Sequence, residues 1–148
     1  MNGQPRSPAE NELALRDIFL PVRDAHERLA FIAEACAGPG IAVEDRREQD
    51  LVLACVSPVW LRGTMENGVL RWQWDAASPL VRGLVGLVCG VYQGCRLEEI
   101  AAHPSTILGD LGLDRQLSPT RLRGLGAVEL RIRGWGAGCG QVAGPAKC

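Results

Sequence analysis

The sequence has no apolar segment long enough to cross a membrane. Its longest apolar run, Leu84–Tyr92, has nine residues, whereas a transmembrane helix needs about 20. The N-terminal residues MNGQPRSPAENE also lack the apolar core of a secretory signal peptide. We therefore expect a cytoplasmic protein that has no membrane partner.

An excess of basic charge is also missing. Lys and Arg number 16 and Asp and Glu number 17, so the formal net charge is -1. Because proteins bind nucleic acids through clustered basic side chains, this balance argues against a nucleic-acid partner. The length of 148 residues and the 47% apolar content suit one globular domain.

Motifs for metal and nucleotide binding are absent from the sequence. The closest two cysteines, Cys89 and Cys95, are six positions apart, and only His26 and His103 are available as imidazole ligands. Structural zinc sites need paired cysteines at shorter spacing. There is no G-x-S-x-G or Walker-type glycine loop either. We predict no cofactor, and we expect both histidines to be solvated surface residues.

Glycine and proline are concentrated towards the ends of the chain. Residues 1–12 are polar and non-periodic, and residues 135–148 contain four glycines and a proline. Such segments lose too much backbone entropy to order easily. We predict a flexible N-terminal arm at 1–12, a folded domain at 13–134 and a flexible tail at 135–148. Cys139 and Cys148 lie in that tail.

The first helix of the domain has clear start and stop signals. Asp24 is a suitable N-cap for the apolar residues that follow at helical spacing, and the sequence Gly-Pro-Gly at 38–40 ends the pattern. Residues 44–50 are almost wholly charged. They indicate a solvated connection.

A β-hairpin follows this connection. Val59–Met65 and Val69–Trp74 have strand character and are separated by Asn67 and Gly68. Asn-Gly favours the positive φ angles of a type I′ turn, so the pattern predicts two antiparallel strands joined tightly.

Helices dominate the rest of the chain. Serine followed by proline, typical of a helix start, occurs at Ser78 and Ser118, and apolar stripes follow both. Shorter helical segments are predicted at Leu97–Ala102 and Thr106–Leu111. The order of elements predicts an α+β fold in which helices pack on a small antiparallel sheet.

The cysteines occupy different sequence environments. Cys36 and Cys89 lie on apolar helix faces and are expected to be buried, whereas Cys95 follows a glycine and is expected to be partly exposed. Cys55 lies between the charged connection and the first strand, where loops present functional groups. Either it is a guarded reactive thiol, or it is a buried cysteine at the strand entry.

Three sequence blocks resemble the SufE family of sulfur-acceptor proteins. Ala54–Leu61, ACVSPVWL, is similar to the family pattern around its sulfur-accepting cysteine. Ser78–Leu84, SPLVRGL, is similar to the family's helix start after the hairpin, and Leu117–Leu125, LSPTRLRGL, to the stretch before its last helix. The order and spacing also agree over residues 24–133.

The resemblance implies a fold shared with the IscU-type iron–sulfur scaffold proteins. It also implies that Cys55 takes a persulfide sulfur from a SufS/CsdA-type, pyridoxal-phosphate-dependent cysteine desulfurase and stimulates that enzyme. The sulfur would then pass to an iron–sulfur scaffold complex. Ser57, in the first block, and Arg121, in the third, are the supporting residues that the resemblance indicates. Arg121 either stabilises a sulfur anion or binds carbonyl groups at the helix start.

Two departures from the family pattern leave alternatives open. Ala54 replaces the glycine usual before the cysteine, and Val56 replaces a polar residue often found after it. The chain is therefore either a sulfur carrier or an interaction module that has lost sulfur transfer. An iron–sulfur scaffold is disfavoured, because such a protein needs three well-placed cysteines and only Cys55 is convincingly placed.

Overall fold

The computed structural model describes residues 4–53 and 57–136. This part of the chain contains seven α-helices and one antiparallel pair of strands, which confirms the predicted α+β class. The helices are α1 (Pro8–Phe19), α2 (Ala25–Ala35), α3 (Pro79–Tyr92), α4 (Leu97–Ala102), α5 (Ile107–Asp110), α6 (Leu113–Gln116) and α7 (Pro119–Gly136), and the strands are β1 (Val59–Glu66) and β2 (Val69–Ala76). No helix among these residues is long and apolar enough to span a bilayer.

The hairpin forms where the Asn-Gly pair predicts it. Asn67 and Gly68 have φ angles of 53° and 85°, as a type I′ turn requires. The register pairs Val59 with Ala76 and Glu66 with Val69. The strands therefore run slightly further than predicted, and one face of the hairpin packs against α3.

Helix α3 is the centre of the fold. Ser78 caps it by accepting a hydrogen bond from the Val81 amide, and Pro79 occupies its first turn, as predicted. Its apolar residues Leu84, Val85, Leu87, Val88 and Val91 are fully buried. Helices α1, α2 and α7 and strand β2 all pack against α3, so it receives the hydrophobic faces of the surrounding elements.

The predicted N-terminal arm is wrong for residues 8–12, which form the first turns of α1. The Ser7 side chain accepts from the Glu10 amide, and the Glu10 carboxylate accepts from the Ser7 amide. This capping box satisfies two helix-end donors. The Asn11 side chain then donates to the carbonyl groups of Val91 (2.9 Å) and Gln93 (3.0 Å), which attaches α1 to the end of α3.

Glu12 connects α1 to the segment that follows α4. Its carboxylate accepts hydrogen bonds from the Ser105 hydroxyl (2.5 Å) and the Thr106 amide (2.8 Å), and it lies 2.7 Å from Nε2 of His103. His103 is consequently partly buried, and its predicted solvent exposure is wrong. His26 is exposed, as predicted.

Glu12→Gln is expected to destabilise the protein in a pH-dependent manner. Although desolvation raises its pKa, the bonds from Ser105, His103 and Thr106 bring it below the ordinary 4.5. The ionised carboxylate thus stabilises the fold above pH 4.5, and this stabilisation is lost as pH falls through the folded-state pKa. Urea unfolding near pH 7 should show a loss of about 1–3 kcal/mol.

Near pH 3 the Glu12→Gln variant and the original chain should differ much less in free energy of unfolding. Glu34→Gln, at an exposed position of α2, is the control and should change little at either pH. An equal loss near pH 7 and near pH 3 would contradict the assigned role of the Glu12 charge.

The C-terminal boundary also differs from the prediction. Helix α7 continues through Trp135, which packs against Trp72 with ring centroids 5.9 Å apart. This aromatic contact keeps the helix ordered beyond the predicted domain end at 134. Residues 137–148, with Cys139 and Cys148, lie outside the described residues, so the flexibility of that tail stays a prediction.

Candidate functional site

The candidate acceptor Cys55 lies outside the described residues, but the structure describes both sides of its loop. The Val52 amide donates to the Val59 carbonyl at 2.8 Å, and Leu51 forms an antiparallel bridge with Trp60. These contacts close the base of the connection between Val52 and β1. Residues 53–58, which contain Cys55 and connect these two fixed stems in the sequence, are called the Cys55 loop.

A cavity of about 210 Å³ adjoins this loop. Its apolar wall comes from β1, α3 and α7, and its polar groups come from Ser57 and the start of α7. The lining residues are Ser57, Val59, Val81, Leu84, Val85, Ser118, Thr120, Arg121, Gly124 and Leu125. Both supporting residues predicted from the sequence, Ser57 and Arg121, thus line one cavity, although 64 positions separate them in the chain.

Arg121 lies at the polar side of the cavity in the first turns of α7. Its backbone amide donates to the Ser118 hydroxyl at 3.2 Å. Ser118 thereby provides an acceptor for one of the amide groups at the N-terminus of α7 that have no partner within the helix. The residue is exposed, and its guanidinium has no ion pair or hydrogen bond with any described residue. This cation is consequently available to an anion in or beside the cavity.

The segment that leads to Cys55 is better ordered than its composition predicts. Residues 43–45 and 48–50 form single 3₁₀ turns, and Asp50 is buried. The Asp50 carboxylate accepts from Nε of Arg62 on β1 at 3.0 Å. The predicted solvation holds for five of the seven residues at 44–50, which are exposed, but it is wrong for Asp50, which is buried because Arg62 of β1 pairs with it.

Asp75 ties the start of this segment to the end of β2. It accepts from the amides of Ile41 and Ala76, both at 2.8 Å, and from Nη2 of Arg46 at 3.0 Å. Desolvation raises the pKa of Asp75, but these hydrogen bonds and the Arg46 charge bring it below the ordinary value. Arg46 also stacks over Trp60 at 4.4 Å. Sequence patterns did not reveal this cluster, since its members are far apart in the chain.

The three described cysteines have the properties of structural residues. Cys89 and Cys95 are fully buried, and Cys36 is partly buried. The predicted partial exposure of Cys95 is therefore wrong. Desolvation raises the pKa of all three thiols, to about 11 for Cys36 and about 12 for Cys95. Such thiols stay protonated at neutral pH and are poor nucleophiles.

Metal ligands do not cluster in the described ranges 4–53 and 57–136. No three His, Cys, Asp or Glu side chains there lie close enough together to hold a metal ion. The described site offers an apolar cavity, the hydroxyl groups of serine and threonine side chains, and one guanidinium group that pairs with no described residue.

Comparison with known sequences agrees with the resemblance of the three blocks. The profile of the SufE family, described as an Fe-S metabolism associated domain, matches residues 14–134. The chain belongs to the SufE family. An uncharacterized SufE-like protein of Rhizobium etli is 35% identical over 123 residues, which cover 79% of this chain and 83% of the relative.

Other relatives of this SufE-family chain extend the comparison. The sulfur acceptor protein CsdE of Escherichia coli is 28% identical over 135 residues, covering 88% of this chain and 90% of CsdE. A solution structure of a hypothetical protein from Thermus thermophilus has a TM-score of 0.71 at 23% identity, covering 86% of this chain and 94% of that one. That similarity concerns the fold alone.

Proposed function

We propose that this chain is a sulfur carrier whose Cys55 accepts a persulfide sulfur from a cysteine desulfurase. Membership of the SufE family associates the chain with iron–sulfur metabolism, and its relative CsdE is named a sulfur acceptor. The observation that carries the proposal is the cavity beside the Cys55 loop, which combines an apolar wall with the Arg121 cation, a group that pairs with none of the described residues.

The reaction is a thiol exchange that consumes no external oxidant or reductant. The Cys55 thiolate attacks the outer sulfur of a cysteine persulfide on the desulfurase. A new S–S bond forms on Cys55 while the donor S–S bond breaks, and the donor cysteine leaves as a thiolate. The sulfur remains at the same oxidation level and now resides on this chain as a Cys55 persulfide.

The cavity suits a protein that must protect a reactive sulfur between two partners. Val59, Leu84 and Val85 give it a buried apolar wall, which shields one side of a group that lies against it from water and soluble thiols. An apolar environment also raises the pKa of a cysteine and keeps it unreactive. A sulfur anion near Arg121 is stabilised by the positive charge, which favours the thiolate and persulfide forms.

The implied partner is a SufS/CsdA-type cysteine desulfurase, which this chain stimulates by removing sulfur from the donor cysteine. Removal of that sulfur regenerates the donor thiolate for another turnover. The recipient is an iron–sulfur cluster assembly complex. In this scheme the chain is an accessory sulfurtransferase and does not turn over a small substrate by itself.

Intact-protein mass spectrometry with peptide mapping tests the proposal. The chain is incubated with a cysteine desulfurase, pyridoxal phosphate and L-cysteine, and excess small thiol is then removed. We expect the mass to increase by one sulfur atom, located on Cys55 and released by dithiothreitol. Sulfur found on Cys139 or Cys148 would place the acceptor in the C-terminal segment, and no added sulfur would contradict the carrier role.

Arg121→Gln is expected to slow sulfur loading of Cys55 by about tenfold, since one charge-assisted contact to a sulfur anion is lost. The thermal midpoint should change little, because Arg121 is exposed and makes no ion pair with a described residue. Arg123→Gln is the matched control. Arg123 is an exposed arginine of the same helix, and among the described residues its guanidinium donates a hydrogen bond to Thr120, at 3.4 Å. Equal loading rates in both variants would exclude a role for Arg121.

A further inference from the structure

The segment that precedes Cys55 contains little that would hold it in place by itself. It consists of two single 3₁₀ turns, Val43–Asp45 and Glu48–Asp50, and such turns are weak in isolation. The side chains of Val43 and Leu53 are 72% and 75% exposed, whereas Val52 packs in the hydrophobic core. Between the first 3₁₀ turn and Val52, polar contacts from other elements hold the backbone.

Arg131 of α7 supplies two of these contacts at the stem of the Cys55 loop. Its Nη1 donates to the Leu51 carbonyl at 3.0 Å, and its Nη2 donates to the Gln49 carbonyl. A planar guanidinium is suited to binding two acceptors at fixed separation, whereas a lysine ammonium is a single point charge. Arg131 thereby spans the last 3₁₀ turn and the bridge residue that follows it.

The surroundings of Arg131 strengthen this arrangement. Arg131 is half-buried, and desolvation lowers its pKa, while the nearby Asp50 carboxylate raises it. Asp50 itself accepts from Nε of Arg62 on β1, and Nη2 of the same arginine donates to the Asp45 carbonyl. Arg62 from β1 and Arg131 from α7 thus both form hydrogen bonds with the segment that precedes Cys55.

Helix α7 joins this stem to the cavity. Gly124 lines the cavity, and Val128 and Arg131 follow it at intervals of four and three residues, which places all three on one stripe of the helix. A helix rises about 1.5 Å per residue, so the separation along the axis between Gly124 and Arg131 is about 10 Å. A rigid helix therefore sets the distance between the loop stem and the cavity wall.

We propose that Arg131 is a positioning residue for sulfur transfer, whose two-point contact with the Gln49 and Leu51 carbonyls fixes the stem of the Cys55 loop relative to the cavity. The inference rests on the proposed role of Cys55 as acceptor. Because the contact ends at Leu51 and the Val52–Val59 hydrogen bond follows directly, loss of Arg131 should loosen the stem while leaving the core intact.

Native-state hydrogen exchange of the Arg131→Gln variant tests the structural part. The Val52 amide, which donates to Val59, should exchange at least about tenfold faster than in the original chain. The Leu70 amide, which donates to Cys95 in the core, is the internal reference and should exchange at an unchanged rate. A general loss of stability would instead accelerate both amides and would overturn the proposal.

Arg133→Gln and Arg131→Lys are the matched variants. Arg133 also donates to a backbone carbonyl from α7, but to Ala101 at 3.2 Å, away from the stem. Its variant should leave Val52 exchange unchanged. Lysine retains the charge but not the two-point geometry, so Arg131→Lys should resemble Arg131→Gln. Equal Val52 exchange in the two glutamine variants, or complete rescue by lysine, would overturn the proposal.

The functional part is measured as the rate of Cys55 sulfur loading at increasing concentrations of this chain. A misplaced acceptor should lower the maximal rate by about tenfold and change the half-saturating concentration little. Faster Val52 exchange with unchanged loading would overturn the positioning role. Failure of the proposed function is recognised separately, because the original chain would then take up no sulfur on Cys55.

Discussion

Cys55→Ser is expected to remove essentially all sulfur loading of this chain by a cysteine desulfurase while leaving its fold unchanged. A serine hydroxyl cannot form a persulfide, and it is not ionised at neutral pH as a thiol can be. The three described cysteines cannot replace Cys55 efficiently, because burial raises the pKa of each of them. The measurement is the mass-spectrometric assay described above, with circular dichroism to compare the folded states.

The double variant Cys139→Ser/Cys148→Ser is the appropriate control for the Cys55 prediction. It removes the two thiols of the C-terminal segment, and it should load sulfur as the original chain does. Persistent loading of Cys55→Ser would show that another cysteine is the acceptor. If Cys55→Ser still stimulated the desulfurase fully, the chain would be an interaction module instead of a carrier.

Gly86→Ala is expected to have the largest effect on stability among simple substitutions in α3. A Cβ at position 86 would lie 1.8 Å from the Cys36 carbonyl oxygen and 2.8 Å from the Trp74 ring. Because the first of these atoms belongs to the backbone at the end of α2, it cannot move away without displacing that helix. We expect the free energy of unfolding to fall by about 4 kcal/mol or more, which is a large part of the stability of a small domain.

Gly90→Ala in the same helix separates this steric effect from helix propensity. A Cβ at position 90 would meet only the end of the Leu15 side chain, at 3.5 Å, which is an ordinary contact distance. Alanine is favoured over glycine within a helix by about 1 kcal/mol. Urea denaturation should therefore show Gly90→Ala to be neutral or slightly stabilising. Similar losses in both variants would contradict the close packing of α2 on α3.

Local signals in the sequence were sufficient for the elements whose ends are capped by nearby residues. Asp24 caps α2 by accepting from the Glu27 amide, and Ser78 caps α3 by accepting from the Val81 amide, as their positions predicted. The Asn67–Gly68 turn likewise fixed the hairpin. In each case the residues that determine the structure lie within four positions of one another, so a short window of sequence contains the information.

The errors occurred where distant residues decide the local structure. The polar start of α1 is ordered because the side chains of Asn11 and Glu12 form hydrogen bonds with residues that are 80 and 94 positions away in the sequence. The charged connection is ordered because Arg62 and Arg131 reach it from β1 and α7. Composition indicated solvation in both regions, since polar side chains are usually exposed unless partners satisfy them.

The sequence by itself determined the family, the α+β class and the candidate residues Cys55, Ser57 and Arg121. The tertiary structure alone decided that Ser57 and Arg121 line one cavity beside the Cys55 loop. It also decided that Arg131 holds the stem of that loop. The physical reason is that caps, turns and motifs act through neighbours in the chain, whereas a cavity and a positioned loop depend on how helices and strands pack in space.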